Sequence, residues 1–217
     1  MVFLPHAVDS DRLKRFSASH DYLRPAPDGR DVVFLSPTRH DWADGDPLWA
    51  KGNDRLIRAL AVLRDDGVAC HVSLLEWGRH VGESKQLITS LALDDLVSWL
   101  PTMRKQSLWA AYMGSHAIVD QFLTPAMGSV TFEALALGCR VLTAIEPVTA
   151  GEFFGTIPPV LNCASVDEIA AAMRRVIADP MDASGVGAAA QEWFSLHHST
   201  ERILELELSA YRRLLSR

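Results

Sequence analysis

Ile118-Val-Asp-Gln-Phe-Leu-Thr-Pro-Ala-Met-Gly-Ser-Val-Thr-Phe-Glu-Ala-Leu-Ala-Leu-Gly-Cys-Arg-Val141 decides the fold. It opens on a short apolar run, Ala117 to Asp120, of the kind that forms a strand buried on both faces. A loop with Pro125 and Gly128 follows, then a helix from Ser129 to Leu137, then a second strand from Arg140 to Ile145. The same alternation recurs on both sides. Upstream, Asp31 to Ser36 reads as a strand, Asn53 to Arg64 as a helix with Leu56, Leu60 and Leu63 on one face, and Ala69 to Leu75 as a strand. Ser84 to Leu93 reads as a helix, Leu96 to Leu100 as a strand and Arg104 to Met113 as a helix. Downstream, Val160-Leu161 reads as a last short strand and Val166 to Ala178 as a strong helix. The chain from about Ala188 to its end reads as helical with a break near His197-His198-Ser199. Strands alternating with helices at this spacing make βαβ units and a parallel sheet. The expected fold class is therefore α/β: a Rossmann-like, doubly wound parallel sheet with helices on both faces and C-terminal helices. Ligands in such sheets bind at the carboxyl ends of the strands, near the point where strand order reverses.

Three parts are expected. Residues 1–30 look like a linker, with Ser10 to Phe16 forming a helical turn or two and Arg24 to Arg30 rich in turn residues. Residues 31–180 form the α/β domain, and 181–217 form a helical segment packing on it.

Composition narrows the class. Of 217 residues, 48% are hydrophobic and 22% charged, which excludes intrinsic disorder. Lys and Arg number 21 against 27 Asp and Glu, so the chain lacks the basic footprint of a nucleic-acid binder. Cys70, Cys139 and Cys163 are odd in number and set among apolar or small residues, as reduced buried thiols are. No apolar run reaches the length of a membrane span, and the N-terminus lacks the basic and apolar regions of a secretory signal. The cytoplasm is the expected location, peripheral contact with the inner membrane face included.

Several motifs carry nothing. Gly185-Val-Gly-Ala-Ala-Ala190 matches the dinucleotide fingerprint in letters, but a loop rather than a strand precedes it, so it reads as the small-residue start of a helix. His197-His198 are neighbours pointing in different directions and read as a polar helix junction rather than a metal face. Two constellations carry more. Arg39 and Lys51 flank the carboxyl end of the first strand, beside Gly52 and a helix start, as in an anion site. Gly128 with Ser129, Val130 and Thr131 offers a second strand-end cradle with free first-turn amides. Glu133 follows, suited to accept two hydroxyls of a ribose or to stabilise the helix start. On the residues alone the cations also read as solvated loop residues, and both alternatives stand.

Taken together and in order, these segments resemble the C-terminal, donor-binding domain of retaining GT-B glycosyltransferases of the family 4 (group 1) type. Phe3 to Ser10 resembles the segment linking the two GT-B domains. Ser36 to Asp54 resembles the donor-phosphate strand and helix, and Val97-Ser-Trp-Leu-Pro101 the strand whose loop lies beside the base. Pro125 to Glu133, with Ala134, Gly138 and Val141, resembles the signature of two Glu residues eight positions apart, the second followed directly by Ala and then by Gly-x-Pro-Val. The resemblance implies diphosphate binding by Arg39, Lys51, Gly128, Ser129 and Val130. It implies ribose binding by Glu133 and a base near Leu100 and Pro101. No metal and no cofactor are implied, since a nucleoside diphosphate sugar is the substrate.

The implied reaction is transfer of its sugar, with retention, to an acceptor hydroxyl on a glycan, a lipid-linked molecule or a small molecule. The alternative is a GT-B-like binding or interaction domain that has lost transfer. Three departures accompany the resemblance. Pro125 stands where the first Glu of the signature belongs, and that Glu contacts the transferred sugar in the family. Asp41 to Trp49 lengthen the Arg–Lys spacing. The N-terminal half of a GT-B enzyme, which binds acceptor, is not in this sequence, so an excised domain or fragment is expected.

Overall fold

The structure is a computed structural model that describes residues 8–20, 32–45 and 50–216. The Phe3–Ala7 part of the linker resemblance, the Arg24–Arg30 turn segment, Asp31 and Trp49 lie outside the described residues. Six strands form one parallel sheet: β1 (Val33–Ser36), β2 (His71–Leu75), β3 (Val97–Leu100), β4 (Ala117–Val119), β5 (Val141–Thr143) and β6 (Leu161–Asn162). Their order is β3-β2-β1-β4-β5-β6, so the order reverses between β1 and β4. The α/β doubly wound expectation holds.

Nine helices are described: α1 (Ser10–Ser19), α2 (Asn53–Asp65), α3 (Val81–Ser90), α4 (Lys105–Met113), α5 (Ser129–Ala136), α6 (Pro147–Phe154), α7 (Val166–Ala178), α8 (Val186–His197) and α9 (Thr200–Leu215). Side-chain alternation along the strands sorts them into two layers. Phe34, Leu74, Val119 and Leu142 face a core made with α2, α3 and α7. Their neighbours Leu35, Leu75, Ile118 and Val141 face a second core made with α1, α4, α5 and α8. The central strands β1, β4 and β5 are covered on both faces and therefore read as near-continuous apolar runs, whereas β2 and β3, nearer the edge, carry half-buried Ser73 and Ser98.

Three features differ from the sequence reading. The stretch between Ile145 and Val160, left unassigned, contains α6. Pro147 stands at its first position and the Glu146 carboxylate accepts from the amides of Val148 and Thr149, so one capping side chain nucleates a helix too short to show a clear apolar period. Within the linker-like segment, α1 is ten residues long and inserts Leu13 and Phe16 into the same core as α8. His198 is not a polar junction residue: it is fully buried, its ring stacked on Phe132 at 3.6 Å and 2°.

The small-residue start of α8 has a geometric reason. A Cβ on Gly187 would fall 2.3 Å from the carbonyl oxygen of Gly138, where α5 ends. Gly187→Ala should therefore push α8 off α5 and cost about 1–3 kcal/mol in denaturant unfolding. Gly82→Ala in α3, where nothing lies within 4 Å, should leave stability unchanged or raise it by up to about 1 kcal/mol.

Candidate functional site

At the carboxyl ends of the strands, where strand order reverses, a cleft of about 340 Å³ opens between the loops. Arg39 and Lys51 line one side, and Gly128, Ser129 and Val130 line another, so the structure gathers all five expected phosphate residues into one cavity.

Each cation is held. The Arg39 Nε lies 2.5 Å from Asp41 Oδ2, and Asp41 also accepts from the backbone N–H and the Nε of Arg79. Burial raises the Asp41 pKa, but the bonds from Arg79 and Arg39 outweigh it, and the carboxyl sits below its ordinary value. Lys51 is pinned along its backbone, its N–H donating to Asp41 and its carbonyl accepting from Phe122. Its Nζ donates to Gln121 Oε1. Burial first, and then the charge of Arg39, lower the Lys51 pKa. Lys51 lines the cleft while Gly52 and Asn53 do not, because Phe122 and Leu123 cover Gly52. The helix start that the cleft exposes is that of α5.

That start is organised by a residue with no role in the sequence reading. Asp120, at the end of β4, is buried and accepts from the hydroxyls of Thr38 and Thr131, at 3.1 and 2.6 Å. It also accepts from the Thr131 backbone amide. Thr131 therefore does not offer its amide to a ligand, whereas Ser129 and Val130 line the cleft at a helix start without a side-chain cap. Burial raises the Asp120 pKa, and the threonine bonds and Lys51 oppose that rise. Gly128 has ordinary extended backbone, and a Cβ there would meet only Asp120 Oδ2 at 3.8 Å. Its missing side chain leaves the cleft open rather than relieving a clash. Gln121 supports the next loop through its amide nitrogen, which donates to the carbonyls of Ala126 and Thr124.

Glu133 is placed differently from the expectation. Its carboxylate is buried and does not line the cleft. Lys105 Nζ, from a side chain that does line it, contacts Glu133 at 2.5 Å, and Trp109 Nε1 donates to the other oxygen at 3.1 Å. Leu100 and Pro101 also stand back from the lining, which instead includes the next two residues, Thr102 and Met103. Pro125 is exposed and lines a separate apolar groove of about 370 Å³ with Phe132, Phe153 and Phe154. Among the described residues no three His, Cys, Asp or Glu side chains are grouped to hold a metal. No described helix is long and apolar enough to cross a membrane.

No family model and no curated protein matches this sequence. Solved structures do. A sucrose-phosphate synthase from Thermosynechococcus elongatus superposes with a TM-score of 0.70 at 21% identity, over 98% of this chain and 52% of that one. The Anabaena protein HepE, solved with UDP and glucose, gives 0.67 at 18% identity, over 99% and 56%. The C-terminal domain of LpcC, a group 1 family glycosyl transferase from Francisella tularensis, gives 0.61 at 14% identity, over 89% of this chain and all of that one. The chain spans about half the length of the first two. Its fold is that of the C-terminal half of GT-B glycosyltransferases.

The loop bearing Arg39 depends on a neutral histidine. His40 is fully buried, its Nδ1 2.8 Å from Ser84 Oγ. Burial lowers its pKa to about 4, against smaller opposing effects of the Leu75 backbone and Asp41. Below pH 6.5 the unfolded chain takes up this proton and the folded chain does not, so stability falls as pH drops toward 4. In urea unfolding across that window, wild type should lose about 3 kcal/mol more than His40→Gln, which has no proton to bind there.

Proposed function

We propose that this chain binds a nucleoside diphosphate sugar and acts as the donor half of a glycosyltransferase that passes the sugar, with retention, to an acceptor hydroxyl. The observation that carries the reading is the convergence of Arg39, Lys51 and the open amides of Ser129 and Val130 on one strand-end cleft. A diphosphate has two anionic groups to match two cations and a helix start. HepE, whose fold this chain shares, was solved with UDP and glucose.

In this reading the diphosphate lies between Lys51 and the start of α5. Negative charge grows on its oxygens as the bond to the sugar breaks, and fixed cations and amides stabilise that charge without reorganising. The reading needs no metal. Glu133 is assigned to the ribose, with the sugar's hydroxyls replacing the Lys105 ammonium on its carboxylate. A second reading, binding without transfer, is favoured by Pro125, which has neither a side-chain acceptor nor an N–H at the position of a sugar-contacting carboxylate. Acceptor-dependent release of nucleoside diphosphate from nucleotide sugars separates the two: transfer requires it, and binding alone does not produce it.

UDP or GDP at a hundredfold excess over its dissociation constant should stabilise the protein by about 2.7 kcal/mol, and AMP or free sugars by much less. Lys51→Ala should weaken nucleoside diphosphate binding roughly tenfold or more, through loss of a charge-assisted bond. Thermal shift and calorimetry read both. A panel that moves the melting temperature no more than buffer does removes the donor-site reading. On Glu133→Gln, reduced discrimination between ribose and 2′-deoxyribose nucleotides marks a ribose ligand. Lost stability with unchanged discrimination marks a carboxylate that serves only Lys105 and Trp109.

A further inference from the structure

The lining of the cleft divides by strand order. The loops after β1 and β4 supply Arg39, Lys51 and the α5 amides. The loops after β2 and β3, with α4, supply Trp77, Met103 and Leu108, and the one cation they add to the lining, Lys105, is already engaged with Glu133. Trp77 stands out there. It is 42% exposed, whereas Leu75 beside it is 4% exposed. An indole so open to solvent contributes little to the core, yet it is held in place from several sides. Its Nε1 donates to the Pro37 carbonyl at 2.8 Å, which leaves the ring face as its remaining means of contact.

The backbone around it is equally fixed. The Trp77 carbonyl accepts from the His40 N–H at 2.8 Å, and the His40 carbonyl accepts from the His80 N–H at 2.8 Å. The Glu76 N–H donates to Leu100 at 2.8 Å, tying the loop to the end of β3. Gly78 makes this possible: its φ is +113°, and a Cβ there would lie 2.4 Å from the His40 nitrogen. The loop after β2 is thus clamped between the loops after β1 and β3, and what it presents to the cleft is a flat, rigid aromatic wall.

We infer that Trp77 is the stacking platform for the base of the bound nucleotide, with Met103 and Leu108 lining the rest of a slot for a flat, uncharged ring. The inference rests on the donor-site reading above and adds to it the residue that contacts the base. Stacking on an aromatic face is tolerant of base identity, because every base has a π face. A preformed wall also spares the cost of ordering a side chain when the ligand arrives.

The test is calorimetric binding of UDP, GDP and inorganic pyrophosphate to wild type, Trp77→Ala and Trp77→Phe. Pyrophosphate samples the cations and the α5 amides alone. Trp77→Ala should weaken UDP and GDP roughly five- to hundredfold and leave pyrophosphate unchanged. Trp77→Phe, which keeps a ring but not the bond to Pro37, should keep most of the nucleotide affinity. Unchanged nucleotide binding in Trp77→Ala overturns the inference. So does an equal loss for nucleotides and pyrophosphate in both variants, since Trp77 would then only shape the loop. Wild type that binds pyrophosphate but neither nucleotide overturns the base slot alone, and wild type that binds none of the three overturns the donor site with it.

Discussion

A buried carboxylate at the end of β4 ties the candidate site together. Asp120 receives the hydroxyl of Thr38 from the loop after β1 and both the hydroxyl and the amide of Thr131 from α5. An uncompensated charge in that position is costly, so each of these groups is constrained to stay where the carboxylate can use it. The loop bearing Arg39 and the helix start bearing Ser129 and Val130 are thereby fixed relative to each other. Lys51 stands close enough to favour the charged form of Asp120, so the cleft holds a negative group behind its positive ones.

The sheet supplies the frame within which this works. At the reversal of strand order the loops after β1 and β4 diverge to opposite sides, and the opening between them is a consequence of topology rather than of any one residue. The loop after β2 then closes the third side. It is held at the His40 backbone by two hydrogen bonds and a close glycine contact, and at β3 by Glu76. His40 is kept neutral by burial beneath this junction, which makes the loops of the cleft and the protonation of one histidine parts of the same structure. A cleft fixed in this way before a ligand arrives loses less entropy on binding.

Much of this was legible in the residues. The continuous apolar runs of β1 and β4 announced strands covered on both faces. The turn and capping residues between them announced helices, and the alternation required a parallel sheet with its site at the strand ends. Arg39, Lys51, Gly128, Ser129 and Val130 stood out because charge and glycine at strand ends are local signals, and the structure gathers them in one cleft. Asp120 and Gln121 were not singled out, although both stand inside the decisive stretch. Their importance lies in partners 11 to 82 positions away in sequence, Thr131, Thr38 and Lys51, and no local pattern reports such pairings. Glu133 was found, but its surroundings were not: Lys105 and Trp109, brought in by α4, occupy its carboxylate.

The sequence by itself determined the elements and their faces, because apolar periodicity and capping act over a few residues and leave their mark on neighbours. It determined also which strand ends would carry charge. The tertiary structure decided which of those charges meet, which amides remain open and which side chain forms the wall. Trp77 shows the difference. In sequence it is one of six tryptophans with no distinguishing neighbour. In the fold its N–H is bound by Pro37, 40 residues away, and its ring faces the cleft, because only the closing of the sheet brings the loops after β1, β2 and β3 together.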